Sequence, residues 1–201
     1  MRKIDWAKLG FGFSDVNCHI RYTWKDGAWS APAVVKDPYI TMHIGASCLQ
    51  YGQECVEGMK AFRQQDGKIV IFRPEENAKR MYRTAVRCVM PPVPEEMFID
   101  AAEQVIRANA EYVPPYGTGG SLYLRPLLIG TGPQIGVAPA KEYTFMIMLR
   151  VPSERRGPRQ SPSYIARPVF RSKTAFFDTG RYFAPFRDVM PETSVAPAKS
   201  T

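Results

Sequence analysis

The chain has 201 residues, 45% of them apolar, and a formal net charge of +8. That length holds one large domain, or one domain and a tail, with enough apolar side chains for a core. There is no run of roughly 18 apolar residues, which excludes a membrane-spanning helix, and four cysteines with two histidines form neither a CxxC pair nor a zinc spacing.

The first residues, Met1 to Trp6, contain no apolar signal core, so a cytoplasmic location is expected. Residues 1–18 read as a loop-like arm anchored by Trp6, Phe11 and Phe13. His19 to Trp24 alternates as a strand does. Lys25-Asp26-Gly27 turns it, and Ala28 to Val35 returns. Asp37-Pro38 breaks the return, and Tyr39 to His43 reads as another short strand. A short helix is expected from Leu49 to Val56, stopped by Gly58 in a left-handed conformation. Met59 to Arg63 and Ile69 to Phe72 then form a hairpin about Asp66-Gly67.

Pro74 suits the first position of a helix, since its φ is already fixed and it has no N–H to leave unpaired. Glu75 and Glu76 sit in its first turn, where the helix dipole favours negative charge. Ala78, Met81, Tyr82, Ala85 and Val89 recur at helical spacing and are expected on its buried face, with Arg80 beside that face. Pro91-Pro92 ends it. A second helix is expected from about Pro94 to Tyr112, with Phe98, Ala101, Ala102, Val105, Ile106 and Ala110 inward. Ser121 to Gly130 and Glu142 to Val151 read as strands, the second apolar enough to be central. Hairpin-forming strands interrupted by two consecutive helices predict an α+β domain with a mainly antiparallel sheet.

After Val151 the periodicity stops. Residues 152–201 hold seven prolines and carry 9 basic against 4 acidic side chains, or +5, whereas residues 1–151 carry 18 against 15, or +3. This basic, proline-rich stretch is expected to be a poorly ordered tail outside the domain of residues 1–151. No aromatic-interleaved basic groove accompanies it, so no specific nucleic-acid partner is expected.

Within residues 1–151 four ordered blocks carry a resemblance. They are Tyr51-Gly52 with Val56-Glu57-Gly58-Met59-Lys60-Ala61-Phe62; Ile71-Phe72-Arg73-Pro74 with Asn77-Ala78-Lys79-Arg80-Met81; Ser121-Leu122-Tyr123-Leu124-Arg125-Pro126; and Ile135-Gly136-Val137. Together they resemble the N-terminal part of the branched-chain amino acid aminotransferases, which are pyridoxal-phosphate enzymes of fold type IV. The resemblance covers about residues 5–151. It implies the small domain of such an enzyme, pyridoxal 5′-phosphate as cofactor, and a homodimer. The implied reaction is reversible amino transfer between Leu, Ile or Val and 2-oxoglutarate.

It also implies roles. Arg80 matches the family's phosphate-binding arginine, and a guanidinium fork suits phosphate oxygens. Tyr123 and Arg125, alternate on one strand and so on one face, match residues that bind substrate, including a side-chain carboxylate. Tyr51 matches a tyrosine that a neighbouring subunit lends to the pocket. Ile135 and Val137 match apolar residues supplied across the dimer interface. Val56 departs from the pattern: a bulky aromatic usually stands there, so the pocket is expected to be wider. Lys60 reads as a solvated lysine without a catalytic role.

The lysine that forms the Schiff base with the cofactor lies, in the family, in a Lys-(x)-Gly-Gly-Asn-Tyr block that this sequence lacks. Lys173 and Lys199 stand in unrelated contexts. No catalytic residue is therefore assigned, no metal site is expected, and the chain alone is expected to be an inactive truncation or frameshift product. The alternatives are a non-catalytic interaction module, or another fold type IV enzyme such as a D-amino-acid aminotransferase or an aminodeoxychorismate lyase.

Overall fold

The computed structural model describes Trp6, residues 15–151 and Arg167–Pro168. Strand β1, His19–Lys25, turns through Asp26 and Gly27, both at positive φ, into β2, Ala28–Trp29. β3, Ala33–Val35, also pairs with β1. The return predicted as one strand is thus split. The Ser30 hydroxyl accepts the Thr23 N–H at 3.0 Å, and Pro32 has no N–H to offer a ladder.

Residues 39–43 are not a strand. The Tyr39 N–H donates to the Asp37 carboxylate at 3.0 Å, an Asx turn that takes the place of a ladder bond. The helix expected from Leu49 to Val56 is shorter: α1 spans Ser47–Tyr51 and is closed by Gly52 at φ 62°, not by Gly58. β4, Glu54–Val56, follows at once and carries Val56 on a strand. β5, Met59–Arg63, and β6, Ile69–Ile71, form the expected hairpin.

Helix α2, Pro74–Arg87, starts at the proline as read. Ala78, Met81 and Ala85 are buried, but Tyr82 and Val89 are exposed, contrary to their expected inward position. The apolar stripe is narrower than the periodicity implied, limited to Pro74, Ala78, Met81 and Ala85. Val89 lies beyond the helix end at φ 53°. α3, Glu95–Ala108, buries Phe98, Ala101, Ala102, Val105 and Ile106 as expected, but ends before Tyr112. The fully buried Asn109 side chain donates to the Val105 and Cys18 carbonyls, ending the helix by tying it to the strand that begins next to Cys18. A 3₁₀ turn, Ala110–Tyr112, carries the chain on.

β7, Leu122–Gly130, and β8, Tyr143–Arg150, pair along eight residues. β9 is Arg167–Pro168. Among the described residues the sheet runs β2-β1-β8-β7-β5-β6-β9, with β3 on β1 and β4 on β7, and every pairing is antiparallel. The fold is α+β, with α2 and α3 on one face of the sheet.

The core lies between that face and the helices: Ile20, Tyr22, Leu122, Leu124, Leu128, Phe145 and Ile147 against Met81, Phe98, Val105 and Ile106. Trp6 packs against its rim. Phe11, Phe13 and the tail beyond Val151, except Arg167–Pro168, lie outside the described residues, as do Lys173 and Lys199. Among the described residues no helix is long and apolar enough to cross a membrane, and no cluster of His, Cys, Asp or Glu is placed to hold a metal. All four cysteines are free thiols.

Candidate functional site

Ladder register decides which side chains share a surface. Val56 pairs with Leu127, Lys60 with Tyr123, and Arg125 with Met148. Residues directly opposite one another point to the same face. Val56, Lys60, Tyr123 and Arg125 therefore lie on the face away from the helices, while Leu122, Leu124 and Leu128 alternate into the core.

The β4–β5 junction brings Glu57 and Gly58 to this region. The Glu57 N–H donates to the Pro126 carbonyl at 2.9 Å, locking the junction to β7. Gly58 lies directly under Tyr123: a Cβ there would come within 2.6 Å of the phenol oxygen and 3.2 Å of two ring carbons. Its φ is not positive, so the need for glycine is close approach and not a turn.

Tyr123 and Arg125 are brought together as predicted. Arg125 Nη2 donates to the phenol oxygen at 3.2 Å, and its guanidinium carbon stands 5.5 Å from the ring centroid. A cation beside a hydroxyl, both on an open sheet face, can receive a carboxylate, one by charge and one by a directed hydrogen bond. Behind them, burial pushes the Cys55 thiol up to about 12, so it stays a thiol at neutral pH and adds no nucleophile.

Gly58→Ala tests this seat. The added methyl displaces the phenol, because the ring is the mobile partner and the backbone is held by β7. The expected cost in stability is about 1 kcal/mol, the low end for overpacking, read from urea midpoints. The structural effect is larger: the Arg125–Tyr123 hydrogen bond is lost, which a crystal structure of the variant would reveal. A ring left in place would mean that Gly58 does not set its position.

Arg80 projects from α2 toward the same junction. Its Nε and Nη2 donate to the two oxygens of Glu57 at 2.6 and 2.5 Å, and Asn77 Nδ2 donates to Glu57 Oε2 at 2.8 Å. The Glu57 side chain is 5% exposed and that of Arg80 58%. Hydrogen bonding to this carboxylate raises the Arg80 pKa above its ordinary value. Glu57 and Asn77 stand within two of the four blocks, yet nothing local in the sequence marks either as functional. Their partners lie 20 and 23 positions away, and only the fold brings them into contact.

The remaining candidates form a second group. The Tyr51 hydroxyl accepts the Gly136 N–H at 2.8 Å, which fastens the end of α1 to the loop carrying Ile135 and Val137. Gln134 N–H donates to the Gly45 carbonyl at 2.8 Å and secures the same loop. Tyr51, Ile135 and Val137 are all exposed, as is Val56.

No family model matches the chain. Among curated proteins it is similar to the branched-chain-amino-acid aminotransferase of Haemophilus influenzae, with 46% identity over 147 residues. It is also similar to that of Helicobacter pylori, with 44% identity over 147 residues. Each match covers 73% of this chain and 43% of the relative. A third relative, transaminase htyB of Aspergillus rugulosus, is 42% identical over 146 residues, covering 72% of this chain and 38% of its own. Among solved structures it is similar to a branched-chain aminotransferase from the archaeon Thermoproteus uzoniensis with norvaline, at 23% identity and a TM-score of 0.49, covering 65% of this chain and 40% of that one. The T.th. branched-chain amino acid aminotransferase complexed with N-(5′-phosphopyridoxyl)-L-glutamate gives the same identity and TM-score, covering 66% and 41%. The chain thus spans less than half the length of the relatives it matches.

Proposed function

We propose that this chain, 147 residues of which are homologous to the N-terminal part of branched-chain-amino-acid aminotransferases, supplies the small-domain share of a pyridoxal-phosphate-dependent amino transfer between Leu, Ile or Val and 2-oxoglutarate. The observation that carries the reading is the assembly of Arg80, Gly58, Tyr123 and Arg125 around one sheet junction. Residues up to Val151 form this domain in the proposal, with Arg167–Pro168 paired onto its β6 edge and the rest of 152–201 outside it. The amino acid and the 2-oxo acid are its small-molecule partners.

The described residues fit the phosphate end of the cofactor. Arg80 is charged and more than half exposed, and Glu57 engages only its Nε and Nη2 edge. Pyridoxal phosphate, when bound, supplies the electron sink for the chemistry at the substrate carbon. Arg80 holds the phosphate. Arg125 and Tyr123 hold a substrate carboxylate and orient the amino acid. Val56, small for its place, leaves room along the wall for a branched side chain.

A homodimer is part of the proposal. Tyr51 at the end of α1, and Ile135 and Val137 on the loop that two backbone donors fasten, form an exposed, mostly apolar group. In this reading they complete the pocket of a second copy.

The test is a chimera in which residues 1–150 replace the matched part of the Haemophilus influenzae relative. It is expected to transaminate leucine. Arg80→Lys in the chimera is expected to weaken retention of pyridoxal phosphate by about 1.5–3 kcal/mol, since a lysine cannot reproduce the fork. That is roughly ten- to a hundredfold in dissociation constant, read by dialysis and absorbance. Equal retention in the Lys variant would remove Arg80 from the site.

A further inference from the structure

Arg80 has five N–H donors, and two of them point at a buried carboxylate. A surface arginine does not need such a partner to stay charged. Glu57 is nearly inaccessible, and every bond given to it is an orienting one. Its own N–H is fixed on Pro126, its Oε1 accepts Arg80 Nε, and its Oε2 accepts both Arg80 Nη2 and Asn77 Nδ2. Asn77 Nδ2 also reaches the Gly58 carbonyl at 3.3 Å. The carboxylate is therefore the rigid member of the pair, and the guanidinium the member being held.

The pairing is side-on, through Nε and Nη2. It leaves Nη1 and the outer Nη2 proton as an end-on edge directed away from Glu57. That edge carries two parallel N–H groups, the geometry that suits two oxygens of one phosphate.

We infer that Glu57 is a positioning residue: it clamps one edge of Arg80 so that the other edge is presented, preformed, to the cofactor's phosphate. The inference rests on the reading of Arg80 as the phosphate anchor and adds what holds it. Two effects of Glu57 oppose each other. Its negative charge beside the site disfavours a phosphate, while its clamp spares the entropy of ordering a long side chain on binding. The clamp wins, because the carboxylate already shares its charge with Arg80 and Asn77, whereas a free arginine must give up most of its rotamer freedom.

The two effects predict opposite signs, which makes the test decisive. The full chain is titrated with pyridoxine 5′-phosphate, which has no aldehyde to react with lysines, and binding is followed by calorimetry. Glu57→Gln is expected to bind it about tenfold more weakly, in the range that orienting partners of ligand-holding groups show at metal sites, about 10- to 100-fold. Tighter or unchanged binding would show Glu57 to be a competitor for Arg80 or a bystander, and overturns the inference.

Arg80→Lys is the second variant and guards against a misfolded Gln variant. In the Arg80→Lys background, Glu57→Gln is expected to add little further loss, because the clamp has nothing left to orient. An equal further loss in that background also overturns the inference. Nitrogen-15 NMR of the Arg80 Nε–H in the free chain separates the two levels. A slowly exchanging Nε–H that Glu57→Gln abolishes, together with binding that ignores Arg80→Lys, would keep the clamp but discard the phosphate reading.

Discussion

Incubated with leucine, 2-oxoglutarate and pyridoxal phosphate, the 201-residue chain alone is expected to form no glutamate above a protein-free control containing the cofactor. The reason is chemical. Amino transfer needs a positioned base to take the proton from the substrate Cα and return it one bond further along. The resemblance to the branched-chain aminotransferases implies that a lysine in a Gly-Gly-Asn-Tyr context does this, and these 201 residues contain no such block. In the proposed site, Arg80, Arg125, Tyr123 and Glu57 have binding and orienting roles and none is the base. An arginine stays charged in a protein and is a donor only. The expected deficit is the whole catalytic rate, in contrast to the graded losses of the substitutions above. Glutamate formed at a rate that Lys173→Ala abolishes would show that Lys173 serves as the base. Formation unaffected by that change would identify a contaminating host enzyme.

Phe98→Ala is expected to cost about 3–5 kcal/mol, the range for truncating a fully buried phenylalanine. Phe98 has no exposed surface, and its ring stacks on Phe145 with centroids 5.9 Å apart and planes 25° from parallel. Phe145 in turn meets Tyr22 at 6.0 Å and Trp29 at 6.5 Å. The stack joins α3 to β8, β1 and β2. A loss of that size is a large part of the roughly 5–15 kcal/mol that holds a domain folded. It is measured as a lower urea midpoint at unchanged slope. A shift corresponding to under about 1 kcal/mol would mean that the neighbouring rings close over the gap and that α3 is not pinned by this residue.

Much of the frame was legible because its signals are local. Asp26-Gly27 can form a two-residue hairpin turn by itself, and Pro74 with two glutamates marks a helix start without reference to the rest of the chain. The errors fall where two local signals compete or where the partner is distant. Gly52 and Gly58 both follow the Cys48–Tyr51 stretch, and nothing in the sequence says which takes the left-handed conformation. Gly52 does, and Gly58 is free of a side chain for a different reason, the Tyr123 ring resting on it. Tyr82 fits the helical period of the buried face yet is exposed, since periodicity fixes direction but not how wide a stripe the neighbouring elements cover. At the site, the Tyr123–Arg125 pair was visible as simple alternation. The Glu57–Arg80 pair was not, because it depends on how the β4–β5 junction meets α2.

The strand order carries one more consequence, for how the molecule behaves in a crowded solution. β6 is Ile69-Val70-Ile71, three buried apolar residues at the flank of the sheet, the composition that recruits a foreign strand when its outer N–H and C=O groups are free. In the folded chain that flank meets Arg167–Pro168, with Val70 opposite Pro168 and Ile71 opposite Arg167. Proline has no N–H, so the sequence of ladder bonds ends there and cannot be passed outward to another molecule through that residue. These two residues thus cover the outer edge of β6 over Val70 and Ile71. Loss of this pairing is expected to favour edge-to-edge association of copies, read as a concentration-dependent rise in light scattering.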